Sequence, residues 1–183
     1  MKILLGYSYY KNSIDIKEWV ENWISRLNIS HLNDDCIIEA YPLTINPPGP
    51  CLNWDQLDRM WKYGDRKLFS LYEDLTNKLY RENFDVFINW NGINIHPELV
   101  KALPTFNVYS CFDDPESSEI LSKPVAKYYD MCLVGNIAEV NNYFKWGVKN
   151  AFYWPLGFRQ DDYNSKLTED NILNGKRDID IAL

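Results

Sequence analysis

Two adjacent aspartates, Asp113 and Asp114, follow an apolar, β-branched and aromatic run in "NVYSCFDDPESSE" (107–119). Two neighbouring carboxylates at the partly buried end of a strand can raise the pKa of one of them, which suits a general base. Transfer of a group to a hydroxyl needs such a base to take the hydroxyl proton. The simpler interpretation of Asp114 is that it caps a helix beginning at Pro115, with Glu116 in the first turn.

His96 is the alternative base. It closes the loop "NGINIH", and the pKa of histidine lies near neutrality. A histidine directly before Pro97 is equally suited to cap a helix or to lie at the surface. In the same loop, Asn91 and Gly92 could let the backbone come close to a ligand, either the molecule that accepts the transferred group or the phosphate of the molecule that donates it, because glycine tolerates positive φ. An Asn-Gly turn without function is the alternative.

The hydrophobic pattern predicts the sheet that would position these residues. Short apolar runs alternate with longer segments of helical period, which is typical of βαβ units. The predicted strands are "KILLG", "CIIEAYPL", "DVFINW", "TFNVYSCF", "DMCLVG" and "AFYWPLGF". We therefore expect an α/β, Rossmann-like fold, with a mostly parallel sheet and helices on both faces.

Helices are predicted between the strands. The first carries Ile16, Trp19, Val20, Trp23 and Leu27 at three- and four-residue steps, after a cap at Asn12 or Ser13. The others are a long helical pattern from Trp54 to about Asn83 that Gly64 divides, a short helix opened by Pro97, a helix over 115–128 interrupted near Pro124, and "NIAEVNNYFKWG" ending at Gly147.

Parallel sheets bind ligands beyond the carboxyl ends of their strands. Four loops should meet there, over 6–13, 89–96, 113–118 and 135–136. They supply the candidate ligand-binding residues, which are Gly6, Tyr7, Asn91, Gly92, Ser117, Gly135 and Asn136.

Aromatic side chains near this edge could form a platform for the face of a sugar or an aromatic ring. The candidates are Tyr7, Tyr9, Tyr10, Trp54 and Trp90. Trp19, Trp23 and Trp61 fit the core stripes of helices better, so we expect them in the core.

Composition narrows the partners. A net charge of −7 argues against phosphate backbones of nucleic acids or anionic lipid as the main partner. No run approaches the length needed to span a membrane. The four cysteines (Cys36, Cys51, Cys111, Cys132) lack metal-ligand spacing and read as small, reduced, mostly buried thiols of a cytoplasmic protein. No metal site is predicted.

Several common α/β sites are absent from the sequence. The turn "GYSYYKNS" after the first strand lacks the GxGxxG pattern of dinucleotide folds, and no GxxxxGK[ST] or GxSxG motif occurs. The first strand ends in Gly6, Tyr7 and Ser8, without the acidic residues with which a phospho-receiver holds Mg²⁺.

The order of later motifs resembles a known family. "YDMCLVGN", "EVNNYFKWGVKNAFYWPLGF" and "DDY", followed by "RDIDIAL", resemble the N-terminal half of two-domain GT-B glycosyltransferases, and most closely the spore-maturation CgeB-like group. The shared features are the strand ending in an Asp-Pro acidic turn, the helix ending at Gly147, the segment Pro155-Leu156-Gly157, and a new strand from Asp178 to Leu183.

The resemblance implies a domain organisation and an activity. Residues 1–160 would be the acceptor-side Rossmann-like domain, 161–177 a linker, and 178–183 the first strand of a second domain that holds the nucleotide-sugar donor. In these enzymes the loop at Gly6 and Tyr7 approaches the donor phosphates, and the other edge residues, Asn91, Gly92, Ser117, Gly135 and Asn136, would bind the acceptor or the donor phosphates. No cofactor is implied, since the nucleotide sugar is a substrate. The acceptor would be a glycan, a protein or a small molecule, and the chain would transfer little or no sugar without its second domain. A stand-alone binding module and one subunit of a split transferase are the alternatives.

Overall fold

Six parallel strands form a sheet in the computed structural model of the protein, which describes residues 1–8, 14–30, 36–45, 52–91 and 94–155. The strands are β1 (Lys2–Tyr7), β2 (Ile37–Pro42), β3 (Val86–Trp90), β4 (Phe106–Cys111), β5 (Met131–Val134) and β6 (Ala151–Tyr153). Their order across the sheet is β2-β1-β3-β4-β5-β6, and every neighbouring pair is parallel. The predicted Rossmann-like α/β fold is confirmed.

The helices lie between successive strands. They are α1 (Ile14–Ser30), α2 (Trp54–Lys62), α3 (Arg66–Arg81), α4 (Pro97–Val100), α5 (Ser122–Val125) and α6 (Val140–Lys145), with single 3₁₀ turns at 126–128 and 137–139. Asn53 and Gln56 form a capping box at the start of α2. Gly64, at φ +64°, separates α2 from α3, so the predicted division of the long helical pattern is confirmed.

The predicted helix over 115–128 is wrong over its first half. Residues 115–121 form turns, and α5 contains four residues. The backbone hydrogen bonds of this segment form separate turns, from the Ser117 N–H to the Asp113 carbonyl and from the Leu121 N–H to the Ser117 carbonyl. They do not continue into a helical ladder, and the predicted interruption near Pro124 lies within the four-residue α5.

Alternate residues of the strands point to opposite faces of the sheet and form a core layer on each face. Leu4 of β1 and Phe87 of β3 lie in the larger layer, which packs against α2, α3, α4 and α6. Leu5 and Tyr7 point to the opposite face, where they pack against α1. The predicted helices on both faces of the sheet are confirmed.

The chain reverses its direction across the sheet after β2. That strand lies on one side of β1, and β3 lies on the other. In doubly wound sheets such a reversal opens a crevice at the carboxyl ends of the two strands that flank it, and ligands bind there. In this protein those strands are β1 and β3. This order is the flavodoxin-like one, extended by a sixth strand.

Some predictions lie outside the described residues. These are the linker at 161–177, the strand at 178–183, the "PLG" segment beyond Pro155, the cap at Asn12 or Ser13, and the roles given to Tyr9, Tyr10, Cys51 and Gly92.

Candidate functional site

Asn91 joins the carboxyl ends of β3 and β4. Its backbone adopts the left-handed conformation at φ +61°, which asparagine tolerates better than most residues. The side-chain Nδ2 donates to Asp113 Oδ2 at 2.6 Å, and Oδ1 accepts from the Phe112 N–H at 3.3 Å. One amide therefore orients both the backbone at the end of β4 and the carboxylate that follows it.

Asp113 is exposed at this edge. Its Oδ2 is held by Asn91, while its Oδ1 has no hydrogen-bond partner in the described parts of the chain. The backbone carbonyl of Asp113 accepts from the N–H and from the hydroxyl of Ser117, both at 3.0 Å. The carboxylate thus has a defined direction and an accessible oxygen, whereas Ser117 serves the turn behind it.

Asp114 turns the other way. Its side chain is buried, and Tyr143 of α6 donates to its Oδ2 at 2.6 Å. Burial raises the pKa of Asp114, and the nearby hydroxyls of Tyr143 and Ser122 and thiol of Cys111 only partly offset this effect. Among the described residues, no side chain or backbone group donates a hydrogen bond of ordinary geometry to Asp114 Oδ1. The predicted helix-capping role is wrong, because no helix begins at Pro115.

A buried polar cluster surrounds Asp114. Tyr109 donates to Ser122 Oγ at 2.9 Å, and burial raises the pKa of the Cys111 thiol to about 11. Burial also raises the pKa of Tyr109 and Tyr143, so both phenols stay protonated and can act as donors. Sequence reasoning missed Tyr143 and Ser122, since nothing in their spacing links them to Asp114.

His96 lies within the larger core layer. Its ring is stacked between Trp61, at 4.7 Å between ring centroids, and Trp54, at 5.5 Å. Its Nδ1 accepts from the Glu98 N–H and caps α4, and Nε2 lies 3.6 Å from Asp58 Oδ1. Burial lowers the pKa of His96 more than Asp58 raises it. These contacts are with α2 and α4, so the structure does not bring His96 together with Asp113.

Gly6 and Tyr7, at the end of β1, have packing roles in the structure. A Cβ at Gly6 would lie 2.5 Å from Leu43 Cδ1 and 3.0 Å from Phe87 Cε2, so the glycine is required by the core. Tyr7 is buried against α1, and its hydroxyl lies 3.4 Å from Glu21 Oε1. Their predicted contact with a ligand stays a prediction.

Gly135 and Asn136, at the end of β5, also support the fold. A Cβ at Gly135 would lie 2.5 Å from the Phe112 ring and 3.0 Å from the Phe112 Cα, so a glycine is needed for this close approach. Asn136 Oδ1 accepts from the Ala138 N–H at 3.0 Å and caps the 3₁₀ turn. Their predicted binding roles stay predictions as well.

The predicted aromatic platform is divided in the structure. Trp54 stacks on His96, whereas Trp90 packs against Trp19 and Trp23 of α1. Trp19 exposes 44% of its surface, so the prediction that it lies in the core is wrong. Trp61 and Trp23 are half-buried.

The described residues show neither a metal-binding group nor a membrane-spanning helix. In the portion of the chain that the structure describes, no three His, Cys, Asp or Glu side chains gather as a metal-binding group. None of the described helices combines the length and the apolar character needed to cross a bilayer. Cys111 and Cys132 are free and buried, as predicted, and Cys36 is a free thiol that is partly exposed.

The fold and this edge define a Rossmann-like α/β domain with an oriented, accessible carboxylate beside its topological switch point. No protein-family model matches the chain, and no curated protein matches it. Its function therefore has to be inferred from the site itself.

Proposed function

We propose that this chain is the acceptor-side domain of a nucleotide-sugar-dependent glycosyltransferase, with Asp113 as the general base. The observation that carries the proposal is the carboxylate of Asp113, which is exposed, lies at the ligand-binding edge of a parallel sheet and is held by Asn91 at 2.6 Å. A base must be fixed in direction and still accessible to the proton that it takes. Asp113 meets both conditions, while the buried Asp114 and His96 do not.

In the proposed reaction, Asp113 Oδ1 accepts the proton of an acceptor hydroxyl. The hydroxyl oxygen then forms the bond to the anomeric carbon, and the bond between that carbon and the nucleotide diphosphate breaks, with its electron pair leaving on the phosphate oxygen. Asn91 keeps Oδ2 in place during this step, which limits rotation of the carboxylate and favours a productive orientation.

The packing at the end of β1 supports binding of the acceptor and the donor by different parts of the protein. Leu43 and Phe87 occupy the space above Gly6, and Tyr7 points into the core. Neither residue offers the open backbone amides with which a phosphate is cradled. The proposal accordingly assigns the donor to another domain or subunit, as the GT-B resemblance implies.

The test is a transfer assay on the protein as its gene encodes it. The protein is incubated with UDP-glucose, UDP-N-acetylglucosamine, GDP-mannose or dTDP-rhamnose and with a mixture of saccharide acceptors, and release of nucleoside diphosphate is measured. We expect release with one donor, and a loss of about 10²–10⁴-fold for Asp113→Asn. Glu116→Gln, an exposed carboxylate three residues away, is the matched control and should retain the rate.

Two results would contradict the proposal. Absence of release with every donor, from protein in which the donor-binding domain or subunit is present, would reject the transferase function and leave a binding module as the alternative. Release that Asp113→Asn does not slow would retain a transferase but reject Asp113 as its base.

A further inference from the structure

Three tryptophans form an aromatic cluster on the α1 face of the sheet. Trp19 and Trp23, one helical turn apart on α1, stack with their rings nearly parallel at 8° and their centroids 6.1 Å apart. Trp90 packs against both, at 6.1 Å from Trp19 and 5.5 Å from Trp23. With 44% of its surface exposed, Trp19 presents an indole that Trp23 and Trp90 hold in place.

The cluster lies at the same edge as the candidate base. Trp90 is the last residue of β3, and the next residue, Asn91, holds Asp113. Helix α1 follows the carboxyl end of β1, so Trp19, in its second turn, lies on the same side of the molecule. The aromatic surface and the oriented carboxylate therefore lie at the same edge of the sheet, and Asn91, which follows Trp90 and donates to Asp113, connects them.

Ser110 gives a second, independent indication of a ligand. It pairs with Trp90 in the sheet register, and it points to the face opposite the core residues Tyr109 and Cys111, which is the face of Trp90. Its side chain is fully buried, and its Oγ has no hydrogen-bond partner among the described residues. A buried hydroxyl without a partner is uncommon in folded proteins, and a ligand hydroxyl would supply one once the Trp90 side chain moves aside on binding.

We infer that this cluster, defined by Trp19, Trp23 and Trp90, is the acceptor subsite and binds a neutral pyranose ring. The C–H face of a sugar packs on an indole, while its hydroxyls donate to the Asp113 carboxylate. A phosphorylated or anionic ligand is disfavoured by that carboxylate and by the net charge of −7. The sugar bound at the cluster is the acceptor substrate only if the proposed transferase function holds, and the inference rests on that function to this extent. It narrows the acceptor from a glycan, a protein or a small molecule to a saccharide.

The experiment follows the indoles directly. The protein is labelled with 5-fluorotryptophan, and its ¹⁹F signals are assigned with single Trp→Phe variants. It is titrated with methyl β-glucoside, methyl β-galactoside, methyl α-mannoside and N-acetylglucosamine, with acyclic sorbitol and UDP as comparison ligands. We expect at least one ring sugar to shift the Trp19 and Trp90 signals saturably, whereas sorbitol and UDP do not.

Variants then separate recognition from folding. Trp19→Ala should weaken the Kd of that sugar about tenfold, and Trp19→Phe, which keeps a ring, should retain most of the affinity. Tyr80→Ala removes an aromatic side chain that is 58% exposed on α3, on the opposite face of the sheet, and should leave the Kd unchanged.

The outcomes distinguish this inference from the proposed function. The inference is overturned if none of the sugars moves the Trp19 and Trp90 signals, if UDP moves them instead, or if Trp19→Ala leaves the Kd intact. Sugar binding at the cluster without nucleotide release from any donor would support the subsite and reject the transferase. Nucleotide release together with unmoved Trp19 and Trp90 signals would support the transferase and reject the sugar subsite at the cluster.

Discussion

Replacement of His96 tests whether this residue is structural, as its surroundings indicate, or a member of the active site. The ring is 5% exposed and fills the space between Trp54 and Trp61, and its Nδ1 caps α4. Loss of a helix cap costs about 1 kcal/mol, and each aromatic contact contributes about 0.5–1.5 kcal/mol. We therefore expect His96→Ala to lower the free energy of unfolding by about 2–4 kcal/mol at pH 7.5.

Urea unfolding followed by far-UV circular dichroism measures this loss, with the slope m compared among variants. His96→Asn is the informative partner variant, because asparagine is a good helix cap but cannot stack as an imidazole does. It should recover about 1 kcal/mol of the loss. Lys101→Ala, at the exposed end of α4, serves as a control and should change stability by less than about 0.5 kcal/mol.

The free energy of unfolding should also depend on pH in a direction set by the pKa of His96. Burial lowers the pKa of His96 in the folded protein, against the opposing effects of Asp58 and Glu98 and with a smaller contribution from Lys101. The unfolded chain therefore binds more protons just below pH 6.5, and stability falls as the pH decreases through that value. The difference between wild type and His96→Asn should shrink accordingly below pH 6.5.

A stability loss under about 0.5 kcal/mol for His96→Ala, together with a large loss of nucleotide release, would refute this reasoning. It would show that the histidine acts in the reaction and that its stacked position contributes little to folding. A wild-type advantage that grows as the pH falls below 6.5 would refute the assigned effect of burial.

Two further predictions concern the edge residues. Tyr143→Phe removes the hydroxyl that donates to the buried carboxylate of Asp114, and it should lower the free energy of unfolding in urea by about 1–3 kcal/mol. The same substitution should cost less when Asp114 is already replaced by asparagine, and equal losses in the two backgrounds would contradict a stabilising hydrogen bond. Gly135→Ala places a Cβ against the ring and the backbone of Phe112, and this overpacking should lower the free energy of unfolding by about 1–3 kcal/mol. An unchanged thermal midpoint would contradict this and show that the ends of β4 and β5 can move apart there.

Local sequence patterns predicted most of the sheet, because alternating or continuous apolar runs are read from adjacent residues. Each of the six predicted strands is present, and Gly64 divides α2 from α3 as its position indicated. The position of Asp113 at the end of β4 followed from the same logic, since the carboxyl ends of parallel strands share one edge, whereas its exposure and the burial of Asp114 were not predicted.

Long-range contacts were not predictable in the same way. Asp114 is buried because Tyr143, 29 residues later, returns on α6 to meet it. His96 is stacked because α2 presents Trp54 and Trp61 to a loop more than 30 residues later. Trp19 follows the helical period of a core stripe, yet the residues of α1 buried on this face are Val20 and Ile24, and the Trp19 indole beside them stays exposed. Such pairings depend on topology, which periodicity alone does not encode.

The central position of β1 has a consequence for biosynthesis. The backbone N–H of Lys2 donates to Asp85 Oδ2, 83 residues later, just before β3, the strand that pairs with the second edge of β1. A ribosome adding roughly 5–20 residues per second needs about 4–16 s to cover that interval. Until then one edge of an apolar strand lacks its partner, which is the kind of surface that promotes aggregation. High contact order of this sort also slows refolding, so yields on dilution from denaturant should depend strongly on protein concentration.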